Sequence, residues 1–243
     1  MSFLYHEILY QPFLNALVFF YNTIAFGDLG LAIIFLTLLI RIILFPVFQK
    51  SVREQAVMQR IQPHLKKIRE EHKNDPRKQW EATMALHKEH HISPFSGFLL
   101  LLVQLPVLIA LYQISIKILS PEVLGDLYSF VRAPAELSHT FLGLINLGES
   151  NMVIVGLAAL AQYFQGKLGL RKTAPNAELS STEKMARQMV FIAPILTLVI
   201  FMRVPAAVSL YWFATSIFSI AQQLIINKQL DHGQSGNIHQ KNN

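Results

Sequence analysis

The chain has 243 residues, of which 52% are hydrophobic and only 15% charged, against about 25% charged in an ordinary soluble domain. Its apolar residues fall in long blocks, more than a water-soluble fold of this size can hide, so a soluble globular domain and a disordered chain are both excluded. The absence of cysteine removes disulfides, thiolate metal sites, cysteine nucleophiles and S-acylation, along with any lipidated N-terminal cysteine. The net charge of +6 would suggest nucleic acid in a soluble protein; in a membrane protein it asks on which side the charges sit.

In chain order, residues 1–28 are apolar without being a uniform block. Phe13, Leu14, Leu17, Phe20, Tyr21 and Ile24 recur at helical spacing, while Gln11, Asn15 and Asn22 share another face. The pattern predicts an amphipathic helix lying in the outer interface; a sixth span is the alternative. A signal peptide needs a basic start, and no Lys or Arg precedes Arg41.

Five apolar blocks follow, over residues 29–49, 93–117, 150–168, 188–202 and 204–227. The third and fourth are near the lower length limit for a span. Between them lie residues 50–92, 118–149 and 169–187, and a polar tail, 228–243, is expected to be disordered. Residues 50–88 carry ten Lys and Arg, residues 167–187 five and the tail two, against three on the opposite side. This asymmetry predicts an all-α integral membrane protein with five spans, its N-terminus outside and its C-terminus in the cytoplasm. Residues 50–92 read as a cytoplasmic two-helix hairpin. Met58, Ile61, Leu65 and Ile68 form one apolar stripe, and Pro63 is expected to kink the first helix. Asp75 and Pro76 start the second, with Trp80, Met84 and His87 on one side. Residues 118–149 form an outer connection.

Arg41 is the most informative residue. It interrupts the first block nine residues before Lys50, about 13 Å from the boundary in a straight helix at 1.5 Å per residue. An arginine at mid-membrane costs at least about 2.5–3.5 kcal/mol and usually faces a wet cavity or a partner. No Asp or Glu lies in any of the five blocks. The polar groups available are Thr37, Gln104, Gln113, Gln162, Gln165, Gln222 and Gln223. With Arg41 they can line a groove that attracts acidic ligands or acidic peptide segments. Phosphate-binding, dinucleotide and zinc-protease motifs are absent. His87, His90 and His91 share a helical face without carboxylate or cysteine support, which reads as a solvated hairpin and not as a metal site. No cofactor, metal, covalent chemistry or DNA partner is expected.

Several stretches resemble the YidC/Oxa-type membrane protein insertases: GLAIIFLTLLIRIILFP over residues 30–46, QP at 62–63, SPFSGFLLLLVQLPVLIALYQ over 93–113, QYFQGKL over 162–168, and PAAVSLYWFATSIFSIAQQLIINK over 205–228. The resemblance runs in order through almost the whole chain. It implies five helical spans, a cytoplasmic hairpin and a hydrophilic groove open to the cytoplasm and laterally to lipid. It places the groove arginine on Arg41, the polar position one turn earlier on Thr37, a third-span polar position on Gln162 or Gln165, and the aromatic pair of the last span on Tyr211 and Trp212. It further implies nascent membrane proteins as clients, with the bilayer, the ribosome and a Sec-type translocation channel as partners, in the plasma or inner membrane. One departure is Val204-Pro205-Ala206-Ala207 before the last span, where the family usually reads Phe-Pro-Ala-Gly. The competing function is an anion transporter or channel using Arg41, which predicts a second gate.

Overall fold

The computed structural model describes residues 3–93, 96–118, 121–134, 137–170 and 181–240. The chain begins as one helical rod. A short α1 (Phe3–Tyr5) passes through a π-helical turn, His6–Tyr10, into α2 (Gln11–Thr23). The polar face of α2 packs against the connecting segment. Asn15 is buried; its amide donates to the carbonyls of Gln11 (2.8 Å) and Asp126 (3.1 Å) and accepts the Tyr128 N–H (2.6 Å). Gln11 and Asn22 donate to the carbonyls of Asp126 and Arg132. The polar face therefore satisfies the backbone of the connecting segment, which no strand or helix could pair. Asn15→Ala leaves the Tyr128 N–H alone, whereas Asp126 keeps Gln11. The expected cost is about 1–3 kcal/mol, read as a lower thermal midpoint in detergent.

Asp28 caps α3 (Leu29–Ile43) by accepting the Leu31 N–H at 2.8 Å. The apolar block expected to be one span, residues 29–49, is broken. Leu44 leaves the helix, Pro46 opens α4 (Phe45–Arg60), and the two axes meet at 70°. Proline has no N–H to continue the ladder and its ring clashes with the preceding turn. Arg41 is thus in the last turn of α3, not midway along a straight rod, and the depth inferred from its distance to Lys50 does not apply. At Pro63 the expected kink is a break, with α4 ending at Arg60 and α5 (Gln62–Glu71) starting at Gln62.

Asp75 accepts the Lys78 N–H at 3.0 Å to cap α6 (Pro76–Glu89). Ile61 and Leu65 bury against Ile92, with Met58 and Leu86 packed beside them. His87 is buried while Trp80, two turns away on the same helix, is 62% exposed. A shared face did not give them a shared neighbour. Among the described residues no three His, Asp or Glu side chains are grouped to hold a metal.

The remaining helices are α7 (Ser96–Lys117), α8 (Met152–Gly169), α9 (Ser181–Phe201) and α10 (Ala206–Gln240). The connection contributes a 3-10 turn, Pro121–Asp126, and a two-stranded antiparallel hairpin, β1 (Thr140–Phe141) with β2 (Ile145–Asn146). α9 starts seven residues before the fourth apolar block and is 21 residues long, so that element is not short. The tail expected to be disordered continues α10 to Gln240. Pro205 cannot extend α9. The first N–H groups of α10 are taken by carbonyls of the connection, Ala206 to Glu149 (2.7 Å) and Ala207 to Leu147 (3.1 Å). Both alanines are buried.

The core joins α2, α3, α7 and α10 through residues such as Leu14, Leu17, Leu36, Ile114 and Leu210. Around it Ile42, Ile43, Leu102, Leu160, Ile195, Val199 and Leu224 are among many bulky apolar side chains left exposed. That area exceeds what a soluble monomer shows. Among the described residues, Glu183–Phe201 and Ala206–Gln229 are each long and apolar enough to cross a bilayer, and the bent α3–α4 pair makes a third if counted as one span. α7 (Ser96–Lys117) is 22 residues long and apolar from Leu102 onward. The first of the expected spans is therefore a bent pair and not a single helix.

Candidate functional site

Three elements enclose Arg41. It projects from the last turn of α3, where the unpaired carbonyl end of the helix favours a cation. Its guanidinium carbon lies 4.1 Å from the centroid of the Phe48 ring on α4 and 5.7 Å from that of Phe218 on α10. Its Nη2 donates to the Thr215 carbonyl of α10 at 3.3 Å. In a straight helix Phe48 would be about 10.5 Å further along the axis; the 70° bend folds it back over the charge. Arg41 is 4% exposed. In this arrangement the side chain is covered by the Phe48 ring and a neighbouring helix. No carboxylate pairs with it among the described residues. The buried carboxylate on α4, Glu54, instead accepts the Ser93 N–H at 3.1 Å, with Lys50 at 3.9 Å, and so ties α4 to the segment entering α7.

The other expected residues divide. Thr37, one turn before Arg41, is buried and donates to the Ile33 carbonyl of its own helix at 2.7 Å. Gln222 is buried and donates to Gln49 Oε1 at 3.4 Å, joining α10 to α4 beyond the bend. Gln104 on α7 donates to the Tyr211 hydroxyl at 2.7 Å, one turn before Thr215. These residues share the inner side of α3, α4, α7 and α10 with Arg41. Trp212 turns to α9, edge-on to Phe201 at 5.5 Å, with its indole N–H unpaired among the described residues. Gln162 accepts from the Thr197 hydroxyl and so belongs to the α8–α9 contact. Gln165 is half-buried one turn further along α8.

Sequence reasoning missed Thr215, Ser216, Ser219, Phe48 and Phe218. The hydroxyls had a visible signal. Thr215, Ser219 and Gln222 recur at spacings of four and three in an apolar helix, with Ser216 beside them, and all four are buried. Phe48 had none, because only the bend brings it to Arg41.

An enclosed arginine without a carboxylate partner, at the break of an apolar helix and beside a polar stripe, defines an all-helical membrane protein with an internal polar seam. The family model for the 60Kd inner membrane protein matches residues 19–233. The membrane protein insertase YidC of Clostridium tetani is 34% identical over 215 residues, covering 86% of this chain and 85% of its own. The membrane protein insertase MisCB of Bacillus subtilis is 30% identical, covering 95% and 82%. The YidC of Wolinella succinogenes is also 30% identical, but the match covers only 34% of that longer protein. A crystal structure of an active YidC insertase with its first transmembrane domain resolved superposes with a TM-score of 0.57 at 23% identity, over 87% of this chain and 45% of that one. The chain belongs to the 60Kd inner membrane protein family, the YidC/Oxa-type insertases.

Proposed function

We propose that this chain is a membrane protein insertase that takes a nascent apolar segment at the seam between α3–α4 and α10 and releases it sideways into lipid. The observation that carries this reading is the coordination of Arg41. A permanent charge is held by one backbone carbonyl at 3.3 Å and an aromatic face, both of which an incoming chain can replace. A carboxylate or peptide carbonyl of the client binds a guanidinium at least as well as the Thr215 carbonyl does. The structure as described is then the closed state. Parting α10 from α3 and α4 exposes Arg41, Thr37, Gln49, Gln222 and the hydroxyl stripe together. The polar flank of a client held there stays solvated or hydrogen-bonded while its apolar helix partitions into the bilayer. Burial of that helix drives the process at about 25 cal/mol per Å². No covalent step is needed.

In this reading the membrane arrangement has five spans, with α7 and α8 completing the set, the N-terminus outside and α5–α6 in the cytoplasm as a hairpin. Ribosome and Sec-type channel contacts belong to the same proposal. An anion channel reading needs a conduit through the bundle, and the enclosure of Arg41 speaks against it.

The cysteine-free chain allows a direct test. Single cysteines at Ile42 or Ile43 on α3 and at Ile217 or Leu224 on α10, all exposed beside the seam helices, should cross-link a ribosome-stalled nascent helix. Cysteines at Ile195 and Val199 on the exposed side of α9 should not. Equal capture at all positions, or at none, sinks the seam.

A further inference from the structure

Two turns at one end of the bundle hold bulky apolar residues in a backbone conformation that L-residues avoid. Phe26 (φ 53°) precedes Gly27 (φ 74°), and Leu142 (φ 54°) precedes Gly143 (φ 69°). The second pair is the tip of the β1–β2 hairpin, closed by the Leu144 N–H on the Phe141 carbonyl at 3.0 Å. The strands pair Phe141 with Ile145, so the loop is residues 142–144, and its first position, at positive φ, favours Asn, Asp or Gly. A leucine there is a steric outlier. Burial does not compensate for it. Phe26 is 91%, Leu142 59% and Leu144 85% exposed.

The two turns are neighbours. The Leu142 N–H donates at 2.5 Å to Asp28, two residues after Phe26, and the same carboxylate caps α3 through Leu31. The Phe141 ring lies against Gly30, so closely that a Cβ there would fall on it. The hairpin therefore stands beside the first turn of α3. At the N-cap of a spanning segment the hydrocarbon gives way to head groups, a depth favoured by aromatic side chains.

We propose that Phe26, Leu142 and Leu144 form a lipid-inserting tip whose occupant is the acyl-chain region of the adjacent leaflet. Strained apolar residues at exposed tips gain nothing in water, and Asn or Gly at position 142 would take the same positive φ with less strain. Residues 140–148 carry no charge, and the one carboxylate beside them, Asp28, has both oxygens taken by the Leu31 and Leu142 N–H groups. The exposed apolar belt continues on both sides of it, with Ile24 at the end of α2 and Met152 and Val153 in the first turn of α8. The tip anchors this end of the bundle and sets its height in the bilayer. It does not depend on the reading of Arg41.

The test uses the full chain in liposomes with a single environment-sensitive label on cysteine at position 26, 142 or 144, and a control label at the exposed polar Asn146. Labels at all three tip positions should shift to the blue. They should be quenched by lipids brominated on the acyl chain and shielded from aqueous iodide, whereas the Asn146 label shows the reverse. Quenching by iodide at the tip positions overturns the proposal. So does shielding without quenching by bromolipid, which would assign the tip to a protein contact. The positions report separately, so a single variant that fails to fold leaves the others to decide.

Discussion

Arg41→Met should lower the insertion of a single-span client with an acidic flank by roughly 10–100-fold, the loss of one charged hydrogen bond worth about 1.5–3 kcal/mol. Its thermal midpoint should move by only a few degrees. The burial cost of an arginine at membrane depth is at least about 2.5–3.5 kcal/mol. Against it stand stacking on Phe48, about 1–2 kcal/mol, the helix-end interaction, about 0.5 kcal/mol, and one charged hydrogen bond to Thr215, about 1.5–3 kcal/mol. The two sides cancel to within a couple of kcal/mol. Methionine keeps the apolar volume and leaves no carboxylate behind, because none pairs with Arg41 among the described residues. Arg41→Lys should recover part of the activity, since it keeps the charge but not the planar fork. Reconstituted insertion measured beside thermal unfolding separates the outcomes. A large fall in stability would make Arg41 a structural residue, and normal insertion by Arg41→Met would end the mechanism.

Pro46→Ala is expected to act through shape. Alanine at this position restores an N–H and removes the ring clash, so a straight α3–α4 rod gains about 3 kcal/mol relative to the bent one. Straightening the 70° bend would lift Phe48 from Arg41, separate Gln49 from Gln222 and pull Glu54 from the Ser93 N–H. Spin labels on α3 and α4 should report a longer and broader distance distribution, and insertion should fall although Arg41 is intact. An unchanged distance would mean that Glu54 and the α10 contacts hold the bend without proline. Pro46→Ala with Glu54→Gln would then be the informative pair.

Much of this protein was legible before any coordinates. The membrane class follows from apolar blocks that no soluble core could hide, and Arg41 stands out because a charge in such a block has few permissible neighbours. Asp75 caps its helix as its residue type predicted. Capping needs only neighbours two or three residues away, which the sequence contains. The family, too, was visible in short stretches preserved in order.

The environment of Arg41 was not legible. Hydropathy adds residues along a line and cannot register that Leu44 and Pro46 turn the chain through 70°. Whether the charge meets water, a carbonyl or a ring depends on where the continuing chain goes. The partner of the α2 face carrying Asn15 was not legible either, because polarity alone does not distinguish water from a backbone 111 residues away. The sequence by itself determined that this chain lives in a membrane with one costly charge inside it. Only the tertiary structure decided that Phe48 and Thr215 enclose that charge, since they reach it through a bend and a contact 174 residues distant, and no local spacing encodes either.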